Sequence, residues 1–267
     1  MHQVLVDIGG FKLYTYGALL ATAFFLANQF ALYLSRRFGY KESAVEERVM
    51  TAILLGVAGS RLGYILQHPG EYLANPLRIL NLREGGLTIM GGVLFTAGYL
   101  YLRYRRDGVP VVNLFDFLAG PLLVGMAFGR LGCFAHGCCH GAICDLPWAV
   151  TFPEGVLGPG VPGGPRHPSQ IYEMLADLGL LALVTYQLPR LRFAGQNFYT
   201  FLAGYGVIRF LDELTRENHV FYGPFTVYQW ACLGMIVFGT AGLLGLWGKG
   251  PVNREIFPRA HSDAESS

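Results

Sequence analysis

Charged residues are scarce in this sequence. They make up 14% of its 267 residues, whereas apolar residues make up 52%. Soluble domains carry about 25% charged residues, so this scarcity excludes an ordinary soluble protein and predicts an integral membrane protein. The basic residues form short clusters and no contiguous stripe, which argues against a nucleic-acid partner. The first apolar run, from Tyr14, has no small-residue cleavage site, so we expect it to be retained as a membrane span.

The apolar runs predict the architecture. About seven of them have the length of a membrane-spanning helix. We therefore predict an all-α polytopic membrane protein with about seven transmembrane helices and a long periplasmic loop between spans four and five. Residues 1–248 would form one membrane domain, and 249–267 a disordered cytoplasmic tail. The spans lie roughly at 14–34, 49–67, 87–102, 112–131, 171–188, 197–214 and 226–247.

The basic residues between the spans predict the orientation. Cytoplasmic loops of membrane proteins are enriched in Lys and Arg. Alternate loops here are rich and poor in basic residues, which places the amino terminus outside and the carboxyl terminus in the cytoplasm. The poor side has only Lys12, Arg78, Arg83, Arg166 and Arg216. The rich side has Arg36, Arg37, Lys41, Arg48, Arg103, Arg105, Arg106, Arg190, Arg192, Lys249, Arg254 and Arg259.

Three further arginines, Arg61, Arg130 and Arg209, lie inside or at the ends of spans. A charge in lipid is costly and usually marks function. Each arginine therefore needs an anionic partner, and lipid phosphate is the abundant membrane anion. Arg209 and Glu213 are four residues apart on one helix face, so an ion pair between them is the alternative.

Several segments together resemble the prolipoprotein diacylglyceryl transferase family. The His-Pro-Ser-Gln-x-Tyr-Glu and Gly-Arg-x-Gly segments are the most specific, and the likeness runs from the first span to the last. The matching pieces are Tyr16-Gly17, Arg61-Leu62-Gly63-Tyr64, Gly85-Gly86 with Gly91-Gly92, Gly129-Arg130-Leu131-Gly132, His167-Pro168-Ser169-Gln170-Ile171-Tyr172-Glu173, and Tyr205-Gly206 with Arg209.

The resemblance implies a bacterial inner-membrane enzyme. It would move the diacylglyceryl group of phosphatidylglycerol to the lipobox cysteine of a prolipoprotein, giving a thioether and glycerol phosphate. A guanidinium group can donate two parallel hydrogen bonds to two phosphate oxygens, which fits a reaction that releases a phosphate ester. The implied site has Arg130 and Arg209 on the phosphate, Tyr205 as a hydroxyl donor, and Glu173 and Glu213 orienting the arginines or handling the thiol proton. The further substrate contacts would be Tyr16, Arg61, Gly91, Gly92 and Gln170.

Three positions depart from the family pattern. Met90 stands where the family usually has a histidine thought to assist the acceptor thiol, and a thioether cannot take a proton. Cys133 and Cys138 replace an asparagine and a glutamate. Either His136 or His140 supplies the base, or the chain is a paralogue with another acceptor or lipid and cysteine-based chemistry. A third alternative is a lipid-binding protein without turnover.

The remaining question is the state of the cysteines around Cys133. Their spacing differs from the common paired-cysteine zinc patterns, so we predict no metal and no cofactor. An oxidising compartment favours disulfides, while buried free thiols and a reactive thiol near the arginines remain alternatives. The residues concerned are Cys133, Cys138, Cys139 and Cys144.

Overall fold

The computed structural model describes most of the chain, in two compact units. The large unit consists of Met1–Ala31 and Phe115–Val252, and the small unit of Leu32–Leu114 and Asn253–Ser267. The described residues are 4–8, 11–80, 86, 88–108, 110–155, 157, 161–217, 220–246, 248–252 and 256.

Long helices dominate the described chain. They are α1 (Thr15–Phe38), α2 (Glu42–Gln67), α4 (Ile89–Arg106), α5 (Val111–His136), α6 (Ser169–Gln187), α7 (Gln196–Glu213) and α8 (Val227–Leu244), together with a short helix α3 (Pro69–Ala74) and 3-10 turns at Pro76–Leu80 and Leu188–Arg190. These helices confirm the predicted helical, polytopic membrane protein.

Five of these segments are long and apolar enough to cross a membrane. They are α1, α2, α5, α8 and the segment Ser169–Arg190, which contains α6. Helices α4 and α7 are 18 residues long, but each contains three charged residues. The five apolar segments correspond to five of the predicted spans, and the crossing of the bilayer by α4 and α7 stays a prediction.

In the described part of the chain, three short antiparallel strand pairs accompany the helices, and none of them was predicted from the sequence. Strands of two to five residues leave too little alternation to detect. The pairs are β1 (Val4–Ile8) with β2 (Phe11–Tyr14), β3 (Val150–Phe152) with β4 (Gly164–Arg166), and β5 (Phe221–Tyr222) with β6 (Phe225–Thr226). The second pair lies in the long loop between α5 and α6.

Glycines hold α2 and α4 together in the small unit. Thr88 N donates to Ser60 O at 3.0 Å and Thr96 Oγ1 to Ala52 O at 3.1 Å, so the two helices run antiparallel. A Cβ atom at Gly91 would lie 2.2 Å from the carbonyl oxygen of Gly59. This close backbone approach requires glycine and is the packing that small residues permit between membrane helices.

The carboxyl-terminal segment contributes one described residue to the small unit. Ile256 is buried, and its carbonyl accepts a hydrogen bond from Arg48 Nη1 at 3.2 Å. The predicted disorder of 249–267 falls mainly on 253–255 and 257–267, which lie outside the described residues. The boundary at residue 248 stays a prediction.

In the large unit, one buried aspartate on α5 fixes the start of α7. Asp116 Oδ2 accepts from Gly195 N at 2.6 Å, and Oδ1 accepts from Phe198 N at 2.9 Å. These are amides of the first turn, which have no partner inside their own helix. Farther along, α7 packs on α8, where a Cβ at Gly239 would lie 2.7 Å from Tyr199 O. Helix α7 is therefore fixed in position both by the hydrogen bonds at its start and by its packing on α8.

Candidate active site

Glu173 is the centre of a buried polar cluster in the large unit. It lies in the first turns of α6 and is 1% exposed. Its Oε1 atom forms a close ion pair with Arg130 Nη2 of α5 and accepts from the hydroxyl of Tyr205 of α7 at 3.1 Å. Its Oε2 atom lies 3.4 Å from Arg216 Nη2. The carboxylate of Glu173 thus contacts two other predicted site residues, Arg130 and Tyr205, and a third group that was not predicted, Arg216.

A second set of ion pairs continues along α7. Arg209 Nη1 lies 2.6 Å from Glu213 Oε2 and 3.2 Å from Asp212 Oδ2. Arg216 Nε donates to Asp212 Oδ2 at 2.8 Å. The three- and four-residue spacings place Arg209, Asp212 and Glu213 on one face of α7, and Arg216 follows in the turn after that helix. The predicted Arg209–Glu213 pair is therefore present, and Asp212 links it to Arg216.

The start of α8 holds Glu213 in place. Thr226 caps that helix, accepting from Gln229 N at 3.2 Å while its own N–H donates to Gln229 Oε1 at 3.1 Å. This reciprocal arrangement is a capping box. The Thr226 hydroxyl also donates to Glu213 Oε1 at 3.2 Å. Glu213 is thus fixed by a side chain that has a structural role of its own.

The arginine cluster, defined as Arg130, Arg209 and Arg216 with Glu173, Asp212 and Glu213, keeps open N–H groups. The arginine side chains are 13–18% exposed, whereas the carboxylate side chains are at most 2% exposed. Within the described part of the chain, Arg130 donates only through Nη2 and Arg209 only through Nη1. The other edges of these two guanidinium groups can each bind a pair of oxyanion oxygens.

A cavity opens beside this cluster. Its volume is about 260 Å³, and Glu213 and Arg216 form its charged side. The remaining wall is mainly apolar, which suits a ligand with a charged group and a hydrocarbon part. The wall residues are Phe210, Leu214, Phe221, Pro224, Phe225, Thr226 and Gln229.

Three cysteines converge where α5 ends. Cys133, Cys138 and Cys139 are half-buried free thiols whose sulfur atoms all lie within 4.8 Å of one another. Cys139 has φ 60° and is the one described non-glycine residue with a positive φ. Gln170, fully buried, donates from Nε2 to Cys138 O at 2.7 Å and so fixes the turn to α6. Cys144 does not belong to this group of sulfur atoms.

The cysteine cluster, meaning Cys133, Cys138 and Cys139, lies within electrostatic range of the arginines. Hydrogen bonds to Cys133 and Cys138, and after them the charges of Arg216 and Arg130, lower the pKa of the Cys139 thiol. A thiolate is the form of cysteine that acts as a nucleophile or metal ligand. Hydrogen bonds to Cys133 and Cys139 raise the pKa of the neighbouring Cys138 thiol, so of these two adjacent cysteines only Cys139 is favoured as a thiolate near the arginines.

Two histidines and a tyrosine surround the end of α5. The ring of His136, which is exposed, lies 5.7 Å from the ring of Tyr16. His140 Nδ1 lies 3.0 Å from Gly141 O. Protonation at Nδ1 makes that contact a hydrogen bond and leaves Nε2 as an acceptor. Their predicted roles as bases, and that of Tyr16 in substrate binding, stay predictions.

Arg166, which the charge pattern of the sequence places in an outer loop, is 1% exposed. Its Nη1 lies 3.1 Å from Glu217 Oε2 and its Nη2 donates to Pro162 O at 3.2 Å. Partial burial raises the pKa of Glu217, but the bonds from Arg166 and Ile143 N outweigh it and leave that pKa below its usual range. The long loop is therefore tied to the end of α7. Arg166 and Arg216 look like ordinary loop residues in the sequence, because Glu217, the partner of Arg166, and Glu173, one of the two partners of Arg216, are distant along the chain.

The predicted contacts Arg61, Gly91 and Gly92 belong to the small unit. Arg61 is 6% exposed and donates to the carbonyl oxygens of Ile79 at 3.0 Å, of Gly86 at 3.1 Å and of Arg78. These bonds hold the loop after α3, and Gly91 packs against Gly59. Both arrangements support a structural role, while the substrate role stays a prediction. Gly85, named in the same segment, lies outside the described residues.

Comparison with known proteins gives a consistent result. A family model described as prolipoprotein diacylglyceryl transferase matches residues 3–245. A phosphatidylglycerol–prolipoprotein diacylglyceryl transferase of Polynucleobacter necessarius subsp. necessarius (strain STIR1) is 37% identical over 245 residues, covering 88% of this chain and 91% of the relative. Proteins of the same description from Bordetella bronchiseptica and Agrobacterium fabrum are each 37% identical. They cover 90% and 72% of this chain and 93% and 68% of their own lengths.

Proposed function

The chain belongs to the prolipoprotein diacylglyceryl transferase family, and on that premise we propose that it transfers the diacylglyceryl group of phosphatidylglycerol to the lipobox cysteine of a prolipoprotein. The thiol sulfur attacks the glycerol carbon that carries the phosphate ester. The carbon–oxygen bond breaks, and its electron pair leaves with glycerol phosphate. The thiol proton must leave before or during the attack.

The open edges of Arg130 and Arg209 are the observation that carries this proposal. Negative charge grows on the phosphate oxygen as the ester bond breaks. Donors already in place at that oxygen stabilise the transition state without having to reorganise. Each arginine forms an ion pair with a buried carboxylate through one nitrogen. This ion pair fixes the orientation of the guanidinium group and so the direction of its unpaired edge. We assign the lipid phosphate to these two edges.

The acidic residues position the arginines in this proposal. Glu173 holds Arg130, and Glu213 holds Arg209. Tyr205 donates its one hydroxyl proton to Glu173, so it would donate to a phosphate oxygen only by giving up that bond. The half-apolar cavity beside Glu213 and Arg216 supports a lipid substrate, since a phospholipid presents a charged headgroup beside hydrocarbon.

We also propose the inner membrane of a bacterium as the location, with the amino terminus in the periplasm and the carboxyl terminus in the cytoplasm. The basic residues at the carboxyl end of α4, Arg103, Arg105 and Arg106, support a cytoplasmic end for that helix. In this arrangement α4 and α7 cross the membrane with the five apolar segments. The long loop between α5 and α6 is then periplasmic, where the acceptor docks.

The test is transfer by the purified chain. Protein in detergent is mixed with phosphatidylglycerol and a lipobox peptide, and mass spectrometry follows the diacylglyceryl adduct on the peptide cysteine. Because removal of one preorganised donor costs about 10²–10³-fold in kcat, we expect losses of that size in Arg130→Gln and Arg209→Gln. Arg190→Gln is the matched control, since Arg190 is exposed and contacts only Tyr186 among the described residues.

The opposite result has a definite meaning. Bound phosphatidylglycerol with no adduct on any lipobox peptide would contradict the proposal. It would favour a relative with a different acceptor or lipid, or a lipid-binding protein without turnover. Met90, in place of the family histidine, is the feature that favours those alternatives.

A further inference from the structure

The transfer reaction needs a deprotonated thiol, and Met90 cannot take the proton. A metal ion bound to thiolates offers another route, because a thiol that coordinates a metal is deprotonated outright. The cysteine cluster is not explained by the phosphate-binding role of the arginines. It brings three soft ligands together next to that site.

The geometry of the cysteine cluster fits one ion. Zinc–sulfur bonds of about 2.3 Å place the sulfur atoms of a tetrahedral site roughly 3.8 Å apart. The three sulfur atoms lie within 4.8 Å of one another, so a shift of about 1 Å at the side-chain ends brings them to that spacing. Adjacent cysteines in extended chain point in opposite directions. The left-handed conformation of Cys139 turns the chain so that both side chains reach one point.

The surroundings also suit a charged thiolate site. Three thiolates and one divalent ion carry a net negative charge, which Arg130 and Arg216 offset from nearby. The hydrogen bond from Gln170 to Cys138 O holds the turn that contains two of the three ligands. Three protein ligands leave the fourth tetrahedral position open, as in catalytic zinc sites.

We propose that Cys133, Cys138 and Cys139 bind one zinc ion, and that the acceptor thiol of the lipobox becomes its fourth ligand. This inference rests on the proposed function for the identity of the acceptor. The thiol proton passes to water on coordination, and the sulfur electron pair then forms the carbon–sulfur bond. The electron pair of the broken carbon–oxygen bond leaves on glycerol phosphate. Nothing is oxidised or reduced. The spacing of the cysteines in the sequence differs from the common zinc patterns, but the turn at Cys139 brings the three sulfur atoms together in the fold.

The first measurement is zinc content of the full chain, purified in detergent under reducing, oxygen-free conditions and incubated with zinc salt. We expect about one ion per chain and at least about a tenfold lower occupancy in Cys133→Ser and Cys139→Gly. Cys139→Gly is the sharper variant, because glycine accepts the left-handed conformation and should preserve the fold. Cys144→Ser is the matched control and should keep full occupancy.

The second measurement counts thiolates. Cadmium replaces zinc, and the thiolate-to-metal absorption is recorded before and after addition of a lipobox peptide. A fourth thiolate should raise the absorption by about one third. A peptide with serine in place of cysteine should not raise it.

Each result decides the inference. No bound metal in the reduced protein, or equal occupancy in Cys139→Gly, overturns it. Bound metal without the absorption increase overturns the acceptor role. If the absorption rises but no lipid adduct ever forms, the metal site stands and the transferase proposal fails. If metal-stripped protein forms the adduct at an unchanged rate, the transferase proposal stands and the zinc inference fails.

Discussion

At the residue scale, Glu173 carries more of the site than any other side chain. It is fully enclosed and takes hydrogen bonds or ion pairs from Arg130, Tyr205 and Arg216. Buried charges of this kind add little net stability as a set, but removal of one member leaves the others uncompensated. The site therefore depends on a single carboxylate that cannot exchange its partners for water.

We expect Glu173→Gln to cost both stability and activity. The amide cannot neutralise Arg130 and Arg216, and the loss of one partner of a buried pair typically costs about 3–5 kcal/mol of unfolding free energy. The midpoint of thermal unfolding in detergent and the adduct assay measure the two effects. Glu42→Gln is the control, because Glu42 pairs with Arg36 at the surface and should change neither value. An unchanged midpoint for Glu173→Gln would contradict the structural role of this carboxylate.

Met90 provides the second prediction at this scale. If the acceptor thiol is activated by the cysteine cluster, a histidine at position 90 has no proton to remove. We then expect kcat/KM of Met90→His to stay close to that of the unmodified chain. Restoring a missing general base would instead raise it by about 10²–10⁴-fold. Initial rates of adduct formation measure this. A gain within that range would show that the base was missing and would contradict thiol activation by metal.

The residues at the site were predictable to different degrees. Arg130 and Arg209 stand out in the sequence because charge is rare in apolar spans, and Glu173 was recognised through its motif. Arg166 and Arg216 were missed, since each follows or precedes a span and looks like a solvated loop residue. Arg216 has a local partner in Asp212, but Glu173 for Arg216 and Glu217 for Arg166 are more than 40 residues away and meet them only in the folded chain.

At the element scale, the length of the apolar runs predicted the helices well. It did not predict the contacts that hold the helices against one another. The α2–α4 contact depends on Gly91 meeting Gly59, and the start of α7 depends on Asp116 of α5. Such contacts join distant positions, so a single sequence does not reveal them. The short strand pairs were likewise hidden, because strands of two to five residues leave too little alternation to detect.

A substitution at Gly91 tests whether this glycine serves helix packing or binding of the lipid headgroup. In Gly91→Ala the new Cβ would overlap the backbone of Gly59, so α2 and α4 must separate, at a cost of about 1–3 kcal/mol. Gly98→Ala on the same helix meets nothing within 4 Å and should be neutral or slightly stabilising. Thermal unfolding of the two variants measures the difference. If Gly91→Ala unfolds like the unmodified chain but has a raised KM for phosphatidylglycerol, the headgroup role is favoured instead.

At the scale of the whole molecule, the number of spans decides where the acceptor can dock. Five and seven are both odd, so the two termini lie on opposite sides in either case and their positions do not discriminate. The internal loops do. If α4 and α7 do not cross, the segment around Gly108 moves to the periplasmic side and the long α5–α6 loop moves to the cytoplasm.

We expect seven crossings, because the charges of α7 are neutralised in pairs and those of α4 lie at its end. Epitopes inserted in the full chain after Gly108 and after Gly155 test this. Both sites are turns in which an added side chain would meet nothing within 4 Å, so insertion should be tolerated. In spheroplasts, antibody should reach the tag after Gly155 and not the tag after Gly108.

The reverse pattern would mean five crossings and would put the long loop on the side away from a periplasmic acceptor. The cysteine cluster comes just before that loop, so the same result would also remove it from the reach of a lipobox thiol.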